Sequence, residues 1–430
     1  MAMIRPETEM KDTGIEWIGN IPSSWVCCKQ KYVISLINGR AFKDTEFEED
    51  GKYRILRVGN LFSNPKWYSS NLELEDDKYC DNGDLLYAWS MSYGPYIWNG
   101  EKVIYHYHIW KAKLLNNLSK RFAYYYLIAL SDSIKSDVHE TTMSFITMKS
   151  MNNSYIAFPE DIFEQQAIAD YLDETCSKID EIIAEAKASI DEYKELKQSV
   201  IFEAVTKGLD KNVEMKDSGV EWIGEIPVDW NIAKINRVAW TTSGATPLRS
   251  KETEYYDNAV IRWVRTLDLN NGHVTDSSEK ITETALKNSS CSIMPVKTVC
   301  EAMYGGSGTI GKSGILEVEC ATNQAICSIV SDKKVLNPDY LHYVIMAVRK
   351  YWMKYAVGTR KDPNINQQII AQMRIPIPQL SKQDIIVNHL DKVTDKCDSL
   401  ISEKESLIND LEAYKKSLIY EVVTGKRRVV

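Results

Sequence analysis

With 430 residues, 44% of them hydrophobic and 10% aromatic, the chain carries enough apolar material for two or more packed cores. It has no apolar run near the roughly 20 residues that cross a bilayer, no signal core at its start, and nine cysteines without a CxxC pair or a zinc-type Cys/His cluster; these argue against a membrane span, export, disulfides and a structural metal, and fit a soluble protein of the reducing cytoplasm. The net charge of −8, from 52 Lys+Arg against 60 Asp+Glu, argues at first against nucleic acid, yet residues 160–209 alone hold thirteen acids and five lysines, so the remainder is neutral on average and free to carry basic surfaces.

Taken in order, the first element is MKDTGIEWIGNIPSSW at 10–25. It returns as MKDSGVEWIGEIPVDW at 215–230, identical at eleven of sixteen positions, so the chain is written twice. Trp17, Trp25, Trp222 and Trp230 keep their spacing in both copies, as apolar anchors at the start of each globule do. Short runs rich in Val, Ile, Tyr and Trp follow (YRILRV, DLLYAWS, KVIYHYHIWKAKL), separated by Gly, Asn, Asp and Pro; they read as strands and turns of a mixed α/β globule. Within them VISLINGRAFK, with Gly39, matches VAWTTSGATPL, with Gly244. RILRVGNL matches RWVRTLDL, which aligns Arg57 with Arg265 and Asn60 with Asp268. His106 and His108 share one face of a strand but lack a third ligand, so a structural or surface pair is the better reading.

IAFP closes the first globule at Pro159, as IPIP closes the second at Pro378, and each is followed by about forty residues without Pro or Gly. Heptads run through both segments: Leu172, Ile179, Ala186, Tyr193 and Val200 with Ile168, Ile182 and Leu196 beside them; then Leu390, Cys397, Leu411 and Leu418, interrupted by Lys404, with Ile386, Val393, Leu400, Leu407 and Tyr414. A polar-faced helix of this length needs a partner for its stripe. The expected partner is its own repeat, through Leu172, Ile179, Ile182, Leu196, Val200, Leu390, Leu400, Leu407, Leu411 and Leu418; the alternative is that each helix packs on its own globule.

In the second globule GSGTIGKS at 306–313 satisfies the phosphate-loop pattern letter for letter. A phosphate loop must open a helix, whereas Gly314 and the strand-like ILEVE follow here, so a Gly-rich turn or hairpin fits better. DPNI at 362–365 lacks the second proline and the aromatic residue of the amino-methyltransferase tetrapeptide, and no glycine-rich cofactor strand accompanies it. Methyl transfer by this chain alone is not expected.

Shared ends around divergent middles suggest one scaffold presenting two reading surfaces. HETTMSFITMK at 139–149 and GTRKDPNINQQ at 358–368 occupy the same place in the two globules and are rich in side chains that reach base edges and phosphates. They supply the DNA-contact candidates Thr142, Ser144, Lys149, Thr359, Arg360, Lys361 and Asn364; a solvated loop has a similar composition. Arg57 and Arg265 come next, with pairing to a buried acid as the alternative, and Arg40, Lys43, Asn60, Arg249, Asp268 and Lys312 complete the set. No catalytic residue and no metal ligand is expected.

The whole chain resembles the specificity subunits of type I restriction-modification systems. The resemblance rests on KD(T/S)G(I/V)EWIG(N/E)IP..W, the G(R/A)(A/T)(F/P) turn, GTIGKSG with TNQA at 322–325, the IxxP strand ends, and the EAVT and EVVT helix termini. The second half follows the pattern more closely; the first has MSYGPYIWNG and YHYHIW where GTIG and TNQA are expected. The resemblance implies an α+β fold: target recognition domains at 1–158 and 213–378, and conserved long helices at 159–212 and 379–430 forming an antiparallel coiled coil, with an internal pseudo-twofold repeat. It implies a non-catalytic subunit, each of whose domains reads one half of a bipartite asymmetric DNA target, with the helices setting the gap. The implied partners are double-stranded DNA, two modification subunits that use S-adenosylmethionine, and restriction subunits that use ATP and Mg. Two other classes stand beside it: a coiled-coil scaffold with incidental DNA binding, and a stand-alone nucleotide-binding enzyme.

Overall fold

The computed structural model describes residues 3–62, 64–90, 93–137, 146–305, 308–355 and 364–429, the side chains of 135–137, 353 and 355 aside. The chain forms two compact units, one of residues 1–186 with 405–430 and the other of residues 187–404.

In the first unit the Val/Ile/Tyr-rich runs become β1 (Ile34–Asn38), β2 (Tyr53–Leu56), β3 (Tyr68–Ser70), β4 (Tyr79–Cys80), β5 (Leu85–Ala88), β6 (Gly94–Ile97), β7 (Val103–Tyr105) and β8 (Ile109–Leu114). One sheet has the order β6-β5-β8-β1; the other has the order β3-β2-β7-β4, with β2 and β7 parallel. The second unit repeats this strand for strand. Its elements are β9 (Ala239–Ser243), β10 (Ile261–Val264), β11 (Gly272–Val274), β12 (Glu279–Ile281), β13 (Ile293–Met294), β14 (Val299–Ala302), β15 (Ser313–Leu316), β16 (Cys320–Thr322) and β17 (Ile326–Ser331). The sheets are β9-β17-β14-β15-β11 and β12-β10-β16-β13, with β10 and β16 parallel; β11, laid parallel to β15, is the one addition.

The duplicated entry segment folds into a hairpin in each unit, Met10–Asp12 with Asn20–Pro22 and Met215–Asp217 with Glu225–Pro227. The turn is closed the same way twice: Asp12 Oδ1 accepts from the Gly14 N–H at 3.0 Å and Asp217 Oδ1 from the Gly219 N–H at 2.9 Å. Of the four anchors, Trp25, Trp222 and Trp230 are buried and Trp17 is half-buried. Gly39 and Gly244 are required by close approach: a Cβ at Gly39 would run into the Tyr105 and His106 carbonyl oxygens, and one at Gly244 into that of Thr322. From Gly308 on, the phosphate-loop letters turn directly into β15 and open no helix.

The segments after the IxxP strands are α2 (Ile162–Lys207) and α4 (Leu380–Val423), while α1 (Lys120–Asp137) and α3 (Pro338–Val348) lie earlier in each repeat. Gln165 and Gln383 act alike at the starts of α2 and α4: Gln165 accepts from the Ser119 N–H at 2.7 Å and donates to the Pro159 carbonyl at 2.8 Å, and Gln383 accepts from Asn337 and donates to Pro378 at 2.8 Å each. The long helices pair antiparallel through one ion pair made twice. Lys415 holds Asp180 at 2.6 Å in the first unit and Lys197 holds Asp398 at 2.6 Å in the second; Lys197 is the repeat equivalent of Lys415 and Asp180 that of Asp398.

The heptad reading is correct for one seam and wrong by one residue for its neighbour. Leu172, Ile179, Leu390 and Leu418 are buried, and Val200, Leu400 and Leu411 half-buried. Ile182 is 44% exposed, Leu196 49% and Leu407 41%, whereas Ile183 and Ile408 are 7% and 9% exposed. The buried positions run 172, 176, 179, 183, 186 and 190, the alternating four-and-three spacing of a coiled-coil seam. In the shared register the second seam also takes Lys197, Thr394 and Lys415, whose polar character let the apolar residues one position away stand in for it.

Candidate nucleic-acid interface

In each unit five segments leave the sheets at the same end, and backbone hydrogen bonds lace them together. In the first, the Arg40 N–H donates to Tyr105 O at 3.0 Å, His106 to Leu56 at 2.9 Å, Trp89 to His108 at 3.1 Å and Ile146 to Trp89 at 3.2 Å. In the second, Ala245 donates to Thr322 at 3.0 Å, Asn323 to Val264 at 3.0 Å, Met303 to Ala325 at 2.8 Å and Ile365 to Met303 at 3.1 Å. The pattern superposes the His106–Tyr107–His108 turn on Asn323–Gln324–Ala325. It also gives Ile146 and Ile365, which lie within the two segments expected to bear contacts, the same anchor.

Thr142, Ser144, Thr359, Arg360 and Lys361 lie outside the described residues. Lys149 is exposed on the helix Met148–Asn153, capped by Thr147, and Asn364 is exposed just before Ile365. Arg40 grips Glu46 with two hydrogen bonds, 3.0 and 2.6 Å, and its guanidinium lies 5.2 Å from the Phe42 ring. Those bonds, with the Lys43 N–H, bring the Glu46 carboxyl down to about 2. Lys43 is exposed beside them.

Arg57 and Arg265 each begin an identical turn. The Arg57 N–H donates to Asn60 Oδ1 at 3.1 Å and the Arg265 N–H to Asp268 Oδ2 at 2.7 Å. Asn60 also donates to the carbonyls of Asn64 and Lys66, at 3.0 and 2.9 Å, and Asp268 accepts from the Ser278 N–H at 3.0 Å, so both side chains close loops. The two arginines then part. Arg57 is exposed with its guanidinium 5.2 Å from the Tyr68 ring, while Arg265 binds Glu279 at 2.8 Å and Ser278 at 2.9 Å. Arg249 reaches the same Glu279 at 2.5 Å and stacks 4.3 Å from Tyr256. Arg265 pairs with an acid, though Glu279 is half-buried and not the buried acid weighed as the alternative. Lys312 is half-buried where the hairpin enters β15.

Trp89, the histidine turn, Thr246 and Gln324, none of them among the sequence's DNA-contact candidates, lie at the same end. His106 and His108 lie 4.8 Å apart between ring centroids, packed against Trp89 and Tyr107. Burial, then His108 and Arg57, lowers the His106 pKa to about 4; burial and Arg57 lower that of His108. Both are therefore neutral near pH 7. Among the described residues no three potential ligands gather around a metal position, and no helix is long and apolar enough to cross a membrane.

The profile of the type I restriction modification DNA specificity domain matches residues 22–192 and 227–410, once on each repeat. The chain belongs to this family. It is 22% identical over 435 residues to the type I restriction enzyme EcoBI specificity subunit of Escherichia coli, covering 97% of this chain and 89% of that one. It is 24% identical to the MjaVIII specificity subunit of Methanocaldococcus jannaschii over 81% of this chain and 80% of the relative. Its fold matches, at a TM-score of 0.69 and 12% identity, a chain from a solved structure described as the basis of "complex assembly and conformational transition of the type I R-M system", covering 94% of this chain and 99% of that chain.

Proposed function

We propose that the chain is the non-catalytic specificity subunit of a type I restriction-modification complex, in which each unit reads one half of a bipartite asymmetric DNA target. The observation that carries this is the doubled loop end: one backbone frame built twice, with different side chains mounted on it. Phosphate contacts come from arginines and lysines such as Arg57, Lys43 and Lys149, which position the duplex, and base contacts from the divergent loops, which specify it. The partners are two modification subunits that bind S-adenosylmethionine and restriction subunits that use ATP and Mg; this chain supplies the address. The complex works in the cytoplasm.

The test is competition binding by the chain assembled with its modification subunits. A duplex carrying the motif methylated in the host should bind about a thousandfold or more tighter than a scrambled duplex of equal length, and the chain alone should transfer no methyl group. Equal affinity for both duplexes would return the chain to the scaffold class, in which DNA binding is incidental.

A further inference from the structure

Resting on that reading, we propose that Arg349 is a positioning residue for DNA binding: it holds the turn at 308–312 against the core so that the turn meets the phosphate backbone of the second unit's half-site, and the buried Glu301 competes for its guanidinium.

The turn is placed by its own strands. It lies between β14 and β15 at the loop end, closed by bonds from the Lys312 N–H to Thr309 O at 2.9 Å, from Gly311 to Ala302 at 2.9 Å and from Ala302 to Lys312 at 2.8 Å. Ile310 and Gly311 are buried, Thr309 and Lys312 half-buried and Gly308 exposed. GTIGKSG belongs to the pattern shared with the family; an element common to recognition domains suits the part of DNA that is common to all sequences, its phosphates. A backbone amide, a threonine hydroxyl and a lysine ammonium are donors that phosphates take.

Beneath the turn the support is particular to the second unit. Arg349, just after α3, donates from Nη2 to the Gly308 carbonyl at 2.9 Å, with Nε 3.5 Å from that of Ile310. A Cβ at Gly311 would stand 2.5 Å from the Trp352 ring and 2.9 Å from Arg349 Cγ, so the turn rests directly on both side chains. Glu301 faces the same pair, fully buried and flanked across the sheet by Ser313 and Cys327. The guanidinium therefore has two claimants, the carbonyls of the turn and a carboxyl that, once ionised, attracts it more strongly than a neutral carbonyl does. In the first unit Tyr87 and Ser131, a neutral pair, stand at those places.

Protonation decides between the claimants. Burial raises the Glu301 carboxyl to about 8, with Trp352 and Arg349 partly opposing it. The Cys327 thiol beside it is held well above its ordinary value by burial and stays neutral there. Below that pH the carboxyl is uncharged and Arg349 serves the turn. Above it the carboxylate draws the guanidinium inward, and the turn loses its hold.

The experiment uses the full chain with its modification subunits and the cognate duplex, and reads affinity between pH 6.5 and 9 together with the phosphates whose ethylation blocks binding. Arg349→Met should weaken binding about tenfold at every pH and remove one or two phosphates of one half-site from the interference pattern. Glu301→Gln should match wild type at pH 6.5 and bind up to about tenfold tighter at pH 9, where wild type loses the same phosphates that Arg349→Met loses throughout. The proposal is overturned if Arg349→Met keeps the wild-type pattern, or if the phosphates lost are spread over both half-sites, as general unfolding would have it. It is overturned equally if wild type and Glu301→Gln share one pH profile. A wild-type complex with no preference for the motif would instead remove the function proposed above.

Discussion

One place beneath the loop end shows how the two units diverged. In the first, Tyr87 on β5 donates to or accepts from Ser131 on α1 at 2.9 Å, and its ring stacks on Trp110, which stacks in turn on Trp89 of the loop above. In the second, the equivalent of Tyr87 is Glu301 on β14, fully buried and facing Trp352 and Arg349. Arg349, the counterpart of Ser131, donates to the Gly308 carbonyl at 2.9 Å, and Gly311 sits so close to Trp352 that a Cβ there would collide with its ring. The GTIG hairpin therefore has its own support in the second unit, and an aromatic stack supports the corresponding loop in the first. Backbone hydrogen bonds keep the frame in both units, while the packing underneath differs.

A large effect should come from breaking what the units share. Ile183→Asn buries an amide in the helix seam and should cost the first unit about 2–4 kcal/mol, by loss of apolar burial and an unsatisfied polar group. The equivalent Ile401→Asn, at a half-buried position, should cost less, and Ile182→Asn, on the exposed face, under about 0.5 kcal/mol. Denaturant melts of the three variants would expose a wrong register if Ile182→Asn were the damaging one.

A pH-dependent effect separates the two cores. Burial raises the Glu301 carboxyl from 4.5 to about 8, with the Trp352 indole and the Arg349 guanidinium only partly offsetting it. Between these values the folded state holds a proton that the unfolded chain has released, so stability falls as pH rises through that window. Glu301→Gln should therefore stabilise the second unit at pH 8, by up to about 1.4 kcal/mol for each pH unit above the unfolded value, and the advantage should vanish near pH 4.5. Tyr87→Phe in the first unit should cost about 1 kcal/mol, the same at both pH values. Hydrogen exchange at pH 5 and 8 reads both, and a pH-independent Glu301→Gln would show that the acid is solvated.

Much of this was legible in the sequence because duplication shows at the level of letters: the entry hairpin, Gly39 with Gly244, Arg57 with Arg265 and the two long helices all fall where the repeat puts them. The second helix seam was not, since Lys197, Thr394 and Lys415 occupy it and Ile182, Leu196 and Leu407 do not. Asn60 and Asp268, candidates for DNA contact, also close turns, which depends on loop carbonyls and amides that only folding brings within reach. His106–His108 and Gln324 fall in corresponding turns. Their alignment was visible, but their place at the hub of five segments is a property of strand order.

The central claim, two independent readers on one repeated frame, is tested most directly by exchanging residues 26–157 for the first domain of another family member and mapping the methylated bases in the host genome. The account predicts a motif in which one half-sequence is replaced and the other, with its methylated base, is unchanged. A motif in which both half-sequences change together would contradict it.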